Sequence, residues 1–260
     1  MRRSTSRVLT QRVADVLGAL DIEDGFVRLP VRLDRKLYIA VDEALRSLGG
    51  RWDRQRRGHV FDADPSTSIE AMVLAGSFVD LDDLYQFFET PLAIAQRVVS
   101  AARIPARPGA VVLEPSAGRG AMLRAMPRSV SVVAVEVDQR HFRALSDELA
   151  SMGDGRWSIN MGDFLHIPPL PRFDCIAMNP PFEGGRDVAH VAHAVNFLAP
   201  GGCIAAVMAA GVDYRMDDAT RSFRDAFTSA GGKFDPLPHN CFRDSGTSVR
   251  TVLATWECPC

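Results

Sequence analysis

AVVLEPSAGRGAML, residues 110–123, decides the fold class. An apolar run ends on Glu114, glycines follow at 118 and 120, and a helix-forming stretch begins at once. Strand, glycine turn and helix in immediate succession open a βα unit, with the turn bringing backbone close to a ligand at the strand's carboxyl end. A nicotinamide-binding turn wants a third glycine at 123, where helix and strand pack closely, and Leu123 stands there instead. Glu114, four positions before the first glycine, does nothing for a pyrophosphate and suits a cationic amino group.

Outward from this turn, apolar strands alternate with amphipathic helices. Strands are expected at 110–114, 130–136, 157–160, 173–178, 202–209 and 249–257, with helices at 119–127, 139–152, 187–198 and 218–230. Such alternation implies an α/β fold with a mostly parallel sheet covered on both faces. Toward the N-terminus the pattern differs. A helix is expected over 4–19, an extended segment at 26–33, a helix over 35–48 ended by Gly49-Gly50, a hairpin at 51–61 and a helix from Asp64-Pro65 to about Ala75. The chain therefore divides into a small α+β unit, 1–82, and a larger domain, 83–260.

Ligands of parallel sheets sit at the carboxyl ends of the strands. Glu136, at the tip of the second strand, suits the two hydroxyls of a ribose. Asp163, after the third, suits an adenine amino group, and Phe164 beside it would cover the ring. The fourth strand ends in AMNPPFEGG, 177–185. Asn179 offers a side-chain carbonyl, and Pro180 a backbone carbonyl with no N–H beside it, so two acceptors converge on a substrate NH₂ group. Phe182 offers a face for a planar base, and Pro180 and Pro181 stiffen the loop.

At these residues the chain resembles the class I S-adenosylmethionine-dependent methyltransferases, specifically the amino-methylating DNA enzymes with an Asn-Pro-Pro-aromatic motif. The similarity runs from about Phe87 to Glu257, and the order FFETP (87–91), glycine turn, NPPF resembles the gamma arrangement of adenine-N6 methyltransferases. The resemblance implies a Rossmann-like domain with a seven-stranded sheet and S-adenosylmethionine as cofactor. It implies a cofactor site of Phe88, Thr90, Pro91, Glu114, Pro115, Ser116, Ala117, Gly118, Gly120, Glu136, Asp163, Phe164 and Asn179. Asn179, Pro180, Pro181 and Phe182 would act on an adenine flipped out of the duplex, with Phe242 as a second wall. The segment LDRKLYIAVDEALRSLGGRWDRQRRGHVFD resembles one that precedes such domains in phage- and plasmid-type enzymes. Glu89 departs from the family pattern, which has proline there, and no large target-recognition domain follows residue 182.

Charge supports a nucleic-acid partner. The net charge of −2 divides into +5 over residues 1–60 and −7 over the rest, with Arg51, Arg54, Arg56 and Arg57 forming a basic hairpin suited to phosphates. Trp52 and His59 in that hairpin read as core or turn residues. Asp187, His190 and His193 follow NPPF at three-residue spacing and read as packing under a loop rather than as a metal site. With 47% apolar and 24% charged residues the composition is that of a soluble globular protein. No apolar run suits a membrane span, and no continuous apolar segment marks the N-terminus as a leader. Five cysteines without zinc-finger spacing fit a reducing cytoplasm. DNA is the expected partner. RNA adenine and a protein glutamine amide present a similar NH₂, and a non-catalytic nucleic-acid-binding protein on the same scaffold is the reading from another class.

Overall fold

The computed structural model describes residues 6–29, 32–61, 63–79, 88–105, 109–153, 155–243, 247 and 249–260. Backbone contacts divide the chain into two units, Met1–Tyr85 and Gln86–Cys260.

The first unit runs β1 (Ser6–Val8), α1 (Gln11–Gly18), β2 (Asp21–Glu23), β3 (Phe26–Arg28), α2 (Arg35–Ser47), β4 (Arg51–Asp53), β5 (Gly58–Val60), α3 (Ser66–Ala75) and β6 (Ser77–Val79). Strands β2-β3-β5-β4 form an antiparallel sheet, and β1 pairs with β6. Leu17, Val27, Val41 and Leu45 fill its core. The helix expected over 4–19 begins only at Gln11. Thr10 caps it, its hydroxyl accepting from the Val13 amide at 3.4 Å, and Val8, placed by its spacing on the helix, lies 81% exposed on β1.

The second unit continues with α4 (Leu92–Ala101), β7 (Val111–Glu114), α5 (Ala121–Ala125), β8 (Ser131–Glu136), α6 (Gln139–Met152), β9 (Trp157–Met161), β10 (Phe173–Met178), α7 (Arg186–Ala194), β11 (Leu198–Ala209), α8 (Asp218–Ser229), β12 (Lys233–Pro236) and β13 (Thr251–Glu257). Its seven strands are ordered β12-β13-β11-β10-β7-β8-β9. Those from β11 to β9 are parallel, and β13 runs antiparallel to both its neighbours. This is the α/β class with the mostly parallel sheet that the sequence implies. Period-two alternation sends Cys175 and Ala177 to one face, with α4, α5 and α6, and Ile176 and Met178 to the other, with α7 and α8. Burial of Ile176 and Met178 stabilises by ~1.5–3 kcal/mol each. In this unit two elements escaped the sequence reading, α4 and the edge strand β12, as β2 and β6 did in the first.

Strand order reverses between β7 and β10. The chain proceeds outward from β7 through β8 to β9, then returns to β7's other side. The crevice at a reversal of this kind is where open α/β sheets bind ligands. Glu114 ends β7, and Asn179 directly follows β10.

Candidate active site

The glycine turn after β7 is held by the tip of β8. The Ala117 amide donates to the Val135 carbonyl at 3.0 Å, and the Gly118 amide to Glu136 Oε2 at 2.6 Å. Glu136 Oε1 accepts from the Asp138 amide at 2.7 Å. Gly118 and Gly120 have φ of 53° and 80°, the left-handed region that favours glycine. A Cβ at Gly120 would also lie 2.5 Å from Leu145 Cδ2, so that glycine serves helix packing. Pro115, Ala117 and Gly118 are buried, and Ser116 is half-buried.

Glu114 is buried, and its Oε2 has no partner. Burial, with the charge of Glu136 added, pushes its carboxyl well above the ordinary range, against the opposing pull of Arg124 and a hydrogen bond from the Leu123 amide. Burial also raises Glu136, although its backbone donors oppose this. A buried carboxyl oxygen left without a partner is costly, and a cationic amino group beside it would remove that cost.

After β10, Asn179 is half-buried, Pro180 buried and Pro181 half-buried. The Asn179 amide nitrogen donates to Thr90 Oγ1 at 2.9 Å, while its Oδ1 is buried with no partner. Phe182 is 8% exposed and stands edge-on to Phe242, itself 1% exposed, with centroids 6.3 Å apart. Both rings belong to the core beneath the loop, so the open stacking face expected of Phe182 is not on the surface.

Phe88, Thr90 and Pro91 are half-buried just before α4, and Phe87 lies outside the described residues. Glu89, the departure from the family pattern, pairs with Arg119 of the glycine turn at 3.6 Å. This short segment therefore touches the glycine turn through Glu89 and the Asn179 loop through Thr90.

Asp163 Oδ1 accepts from the Leu165 amide at 3.0 Å and starts a 3-10 turn, while its Oδ2 lies 3.7 Å from Arg186. Phe164 departs from its expected role. Its ring is 2% exposed and packs on His193 and Phe197, centroids 4.9 and 5.0 Å away, so it anchors Asp163 from below.

The Asp187, His190, His193 row fastens α7 to three neighbours. Asp187 accepts from the Ala209 amide at 2.9 Å, His193 Nε2 lies 3.0 Å from the Ile167 carbonyl, and His190 Nδ1 lies 3.5 Å from Ser116 Oγ. His190 is 4% exposed with Nε2 unpartnered, and burial is the main cause that pushes its pKa down to about 4. Their periodicity was visible in the sequence, but their partners, all distant in the chain, were not.

An apolar groove of about 610 Å³ lies elsewhere, between α7 and α8, lined by Ala189, Ala192, Phe223 and Trp256. In the first unit, Arg51, Arg54, Arg56 and Arg57 are exposed on the β4–β5 hairpin. Asp53 Oδ1 shapes the turn by accepting from the Gln55 and Arg56 amides at 2.8 and 3.0 Å, and the Arg56 guanidinium lies 3.9 Å from the Phe26 ring centroid. His59 is fully buried against Asp42 at 2.8 Å, with Trp52 edge-on to it. Among the described residues no helix is long and apolar enough to cross a membrane.

No family model matches the chain. It is similar to an rRNA adenine N-6-methyltransferase of Streptomyces fradiae, 40% identical over 91 residues, which is 35% of this chain and 28% of that protein. Among solved structures it is similar to one from Vibrio vulnificus YJ016 assigned as a modification subunit of a type I restriction enzyme, with TM-score 0.55 and 17% identity, covering 74% of this chain and 48% of that one. A dimethyladenosine transferase from Plasmodium falciparum gives TM-score 0.52 and 16% identity, covering 67% of this chain and 63% of that one. The fold is thus the Rossmann-like methyltransferase fold.

Proposed function

We propose that the chain transfers a methyl group from S-adenosylmethionine to the exocyclic N6 amine of adenine in a nucleic acid. The observation that carries this reading is the pair of orphaned acceptors at the topological reversal, Glu114 Oε2 and Asn179 Oδ1. A buried carboxyl oxygen without a partner fits the cofactor's ammonium, and a buried carboxamide oxygen beside the Pro180 carbonyl fits an amine with two hydrogens. S-adenosylmethionine, when bound, supplies a methyl already activated on a sulfonium. The residues named here would hold and orient it: Glu114 at the amino group, Glu136 at the ribose, Asp163 at the adenine amine, with Ser116, Ala117 and Gly118 along the turn and Phe88 and Pro91 beside them.

On the acceptor side, Asn179 Oδ1 and the Pro180 carbonyl accept from the two N6 hydrogens. The nitrogen then becomes more tetrahedral and its lone pair is freed from the ring. The methyl that the bound cofactor would supply could then join this lone pair, and the nitrogen would release to solvent one of the two protons held by Asn179 Oδ1 and the Pro180 carbonyl. Catalysis is by positioning and electrostatics. An adenine in a duplex reaches this loop only by flipping out, and Phe182 and Phe242 would have to part to receive it.

DNA is the polymer favoured by the segment order FFETP, glycine turn, NPPF. RNA is a second reading, favoured by the 91-residue similarity to an rRNA adenine N-6-methyltransferase. Incubation with labelled S-adenosylmethionine and, separately, duplex DNA, structured RNA and protein extract tests both. Label on N6-methyladenine in one polymer supports that reading, and label in neither rejects the proposal.

The basic hairpin is assigned to phosphate contact. Arg54→Gln with Arg57→Gln is expected to weaken binding of the methylated polymer and to lower its salt dependence by about 0.9 in log–log slope per lost contact on duplex DNA. Binding titrations between 50 and 200 mM salt, about the range over which such contacts weaken most visibly, measure this. An unchanged slope would make the hairpin a solvated surface only.

A further inference from the structure

We propose that Thr90 is a positioning residue that sets which end of the Asn179 carboxamide meets the substrate. The proposal rests on the reading of Asn179 as the acceptor for an amine. It changes the role of Thr90, which resemblance alone places against the cofactor.

A carboxamide has two ends of almost equal shape and opposite polarity. Only the oxygen end can accept from an N6 hydrogen. The amide nitrogen turned inward would set its own hydrogens against those of the amine. With the amine bound, one set of hydrogen bonds is self-consistent: N6 donates to Oδ1, and Nδ2 donates to a second acceptor behind it. Thr90 Oγ1 is that acceptor, 2.9 Å from Nδ2, while Oδ1 remains buried and free.

Thr90 is well placed to hold this orientation. Pro91 starts α4, its carbonyl accepting from the Ile94 and Ala95 amides at 2.9 Å each, and Ile94, Ala95 and Val98 anchor the helix in the core. Glu89, on the other side of Thr90, reaches Arg119. The hydroxyl thus projects from a segment fixed at both ends. Residues 89 positions apart in the chain form one unit, the second carrying the acceptor and the first setting its direction.

Thr90→Val keeps the shape and removes the acceptor, while Thr90→Ser restores it. In the full-length protein, Thr90→Val is expected to lower kcat by about 10- to 100-fold, the scale of a small misplacement at a reacting centre. The Kd for S-adenosylmethionine should change by less than about threefold, and Thr90→Ser should recover most of kcat. A loss confined to cofactor Kd, an unchanged kcat, or a serine variant as impaired as valine would overturn the proposal. NMR of the Asn179 side-chain amide supplies a readout independent of turnover. Its hydrogens should exchange faster in Thr90→Val than in the native protein or Thr90→Ser. Equal exchange in all three also overturns the proposal. Where neither DNA nor RNA is methylated by the native protein, the functional reading falls and this amide signal alone decides the role of Thr90.

Discussion

Asn179→Ala is expected to lower methyl transfer by about 10²–10³-fold, the usual cost of deleting one preorganised hydrogen-bonding group at a reacting centre. The alanine removes the buried oxygen that has no partner of its own and keeps the strand and the prolines. Because the loss falls on the acceptor side, the Kd for S-adenosylmethionine should move by less than about threefold, an interaction realised in the transition state rather than in cofactor binding. Single-turnover transfer with labelled cofactor, beside calorimetric titration, separates the two. A near-native rate would remove Asn179 from the chemistry. An unchanged rate constant once the cofactor is saturating, with a large rise in Kd, would make it a cofactor ligand only.

How much of this was legible beforehand follows the range of the interactions. Strands β7, β8 and β10 announce themselves as apolar runs because both faces of the sheet are covered, and the ends of such runs locate Glu114, Glu136 and Asn179. The reversal between β7 and β10 then makes two of those ends neighbours. β12 was missed because it is an edge strand of Lys233, Phe234, Asp235 and Pro236, in which only Phe234 is even half-buried. α4 was missed although Ile94, Ala95, Val98 and Val99 have helical spacing and are buried; it is short, and no side chain caps its start at Pro91. The start of α1 was misplaced because apolar spacing continues through Val8, and only the cap at Thr10 decides where the helix begins.

The site was legible in its groups and not in its partners. Glu89 read as a departure from a pattern, and its pairing with Arg119 gives it a place. Phe164 and Phe182 read as stacking faces because they follow functional residues, yet both rings pack into the core. Sequence position tells which residues emerge at the rim, whereas side-chain direction depends on neighbours tens of positions away. The Asp187, His190, His193 row read as packing under a loop, and its members fasten α7 to three different elements whose identity the spacing does not give.

His190 carries the second large expected effect, on stability. Its ring is faced by Ser116 from the glycine turn, Asp163 and Phe164 from the turn after β9, and Arg186 and His193 from its own helix. Burial foremost, then Arg186, lowers its pKa from 6.5 to about 4, while Asp163 acts in the opposite sense. Above pH 6.5 the ring is neutral in folded and unfolded chains alike and costs nothing. As pH falls from 6.5 toward 4, the unfolded chain takes up a proton that the folded chain refuses, so stability is lost across that window and the loss is complete below it. At about 1.4 kcal/mol per pH unit, the full loss is on the order of 3 kcal/mol. Glu114 and Glu136, raised by burial, act in the opposite direction as they protonate, so the total pH curve does not isolate the histidine. The difference between native protein and His190→Gln does. Urea unfolding from pH 7 down to about 4.5 should show the native protein losing stability to the variant by up to about 2–3 kcal/mol, whatever the variant costs at neutral pH. Parallel curves would mean that His190 titrates normally and that water reaches its unpartnered nitrogen. The α7 row would then be a looser fastening of the acceptor loop than its geometry implies.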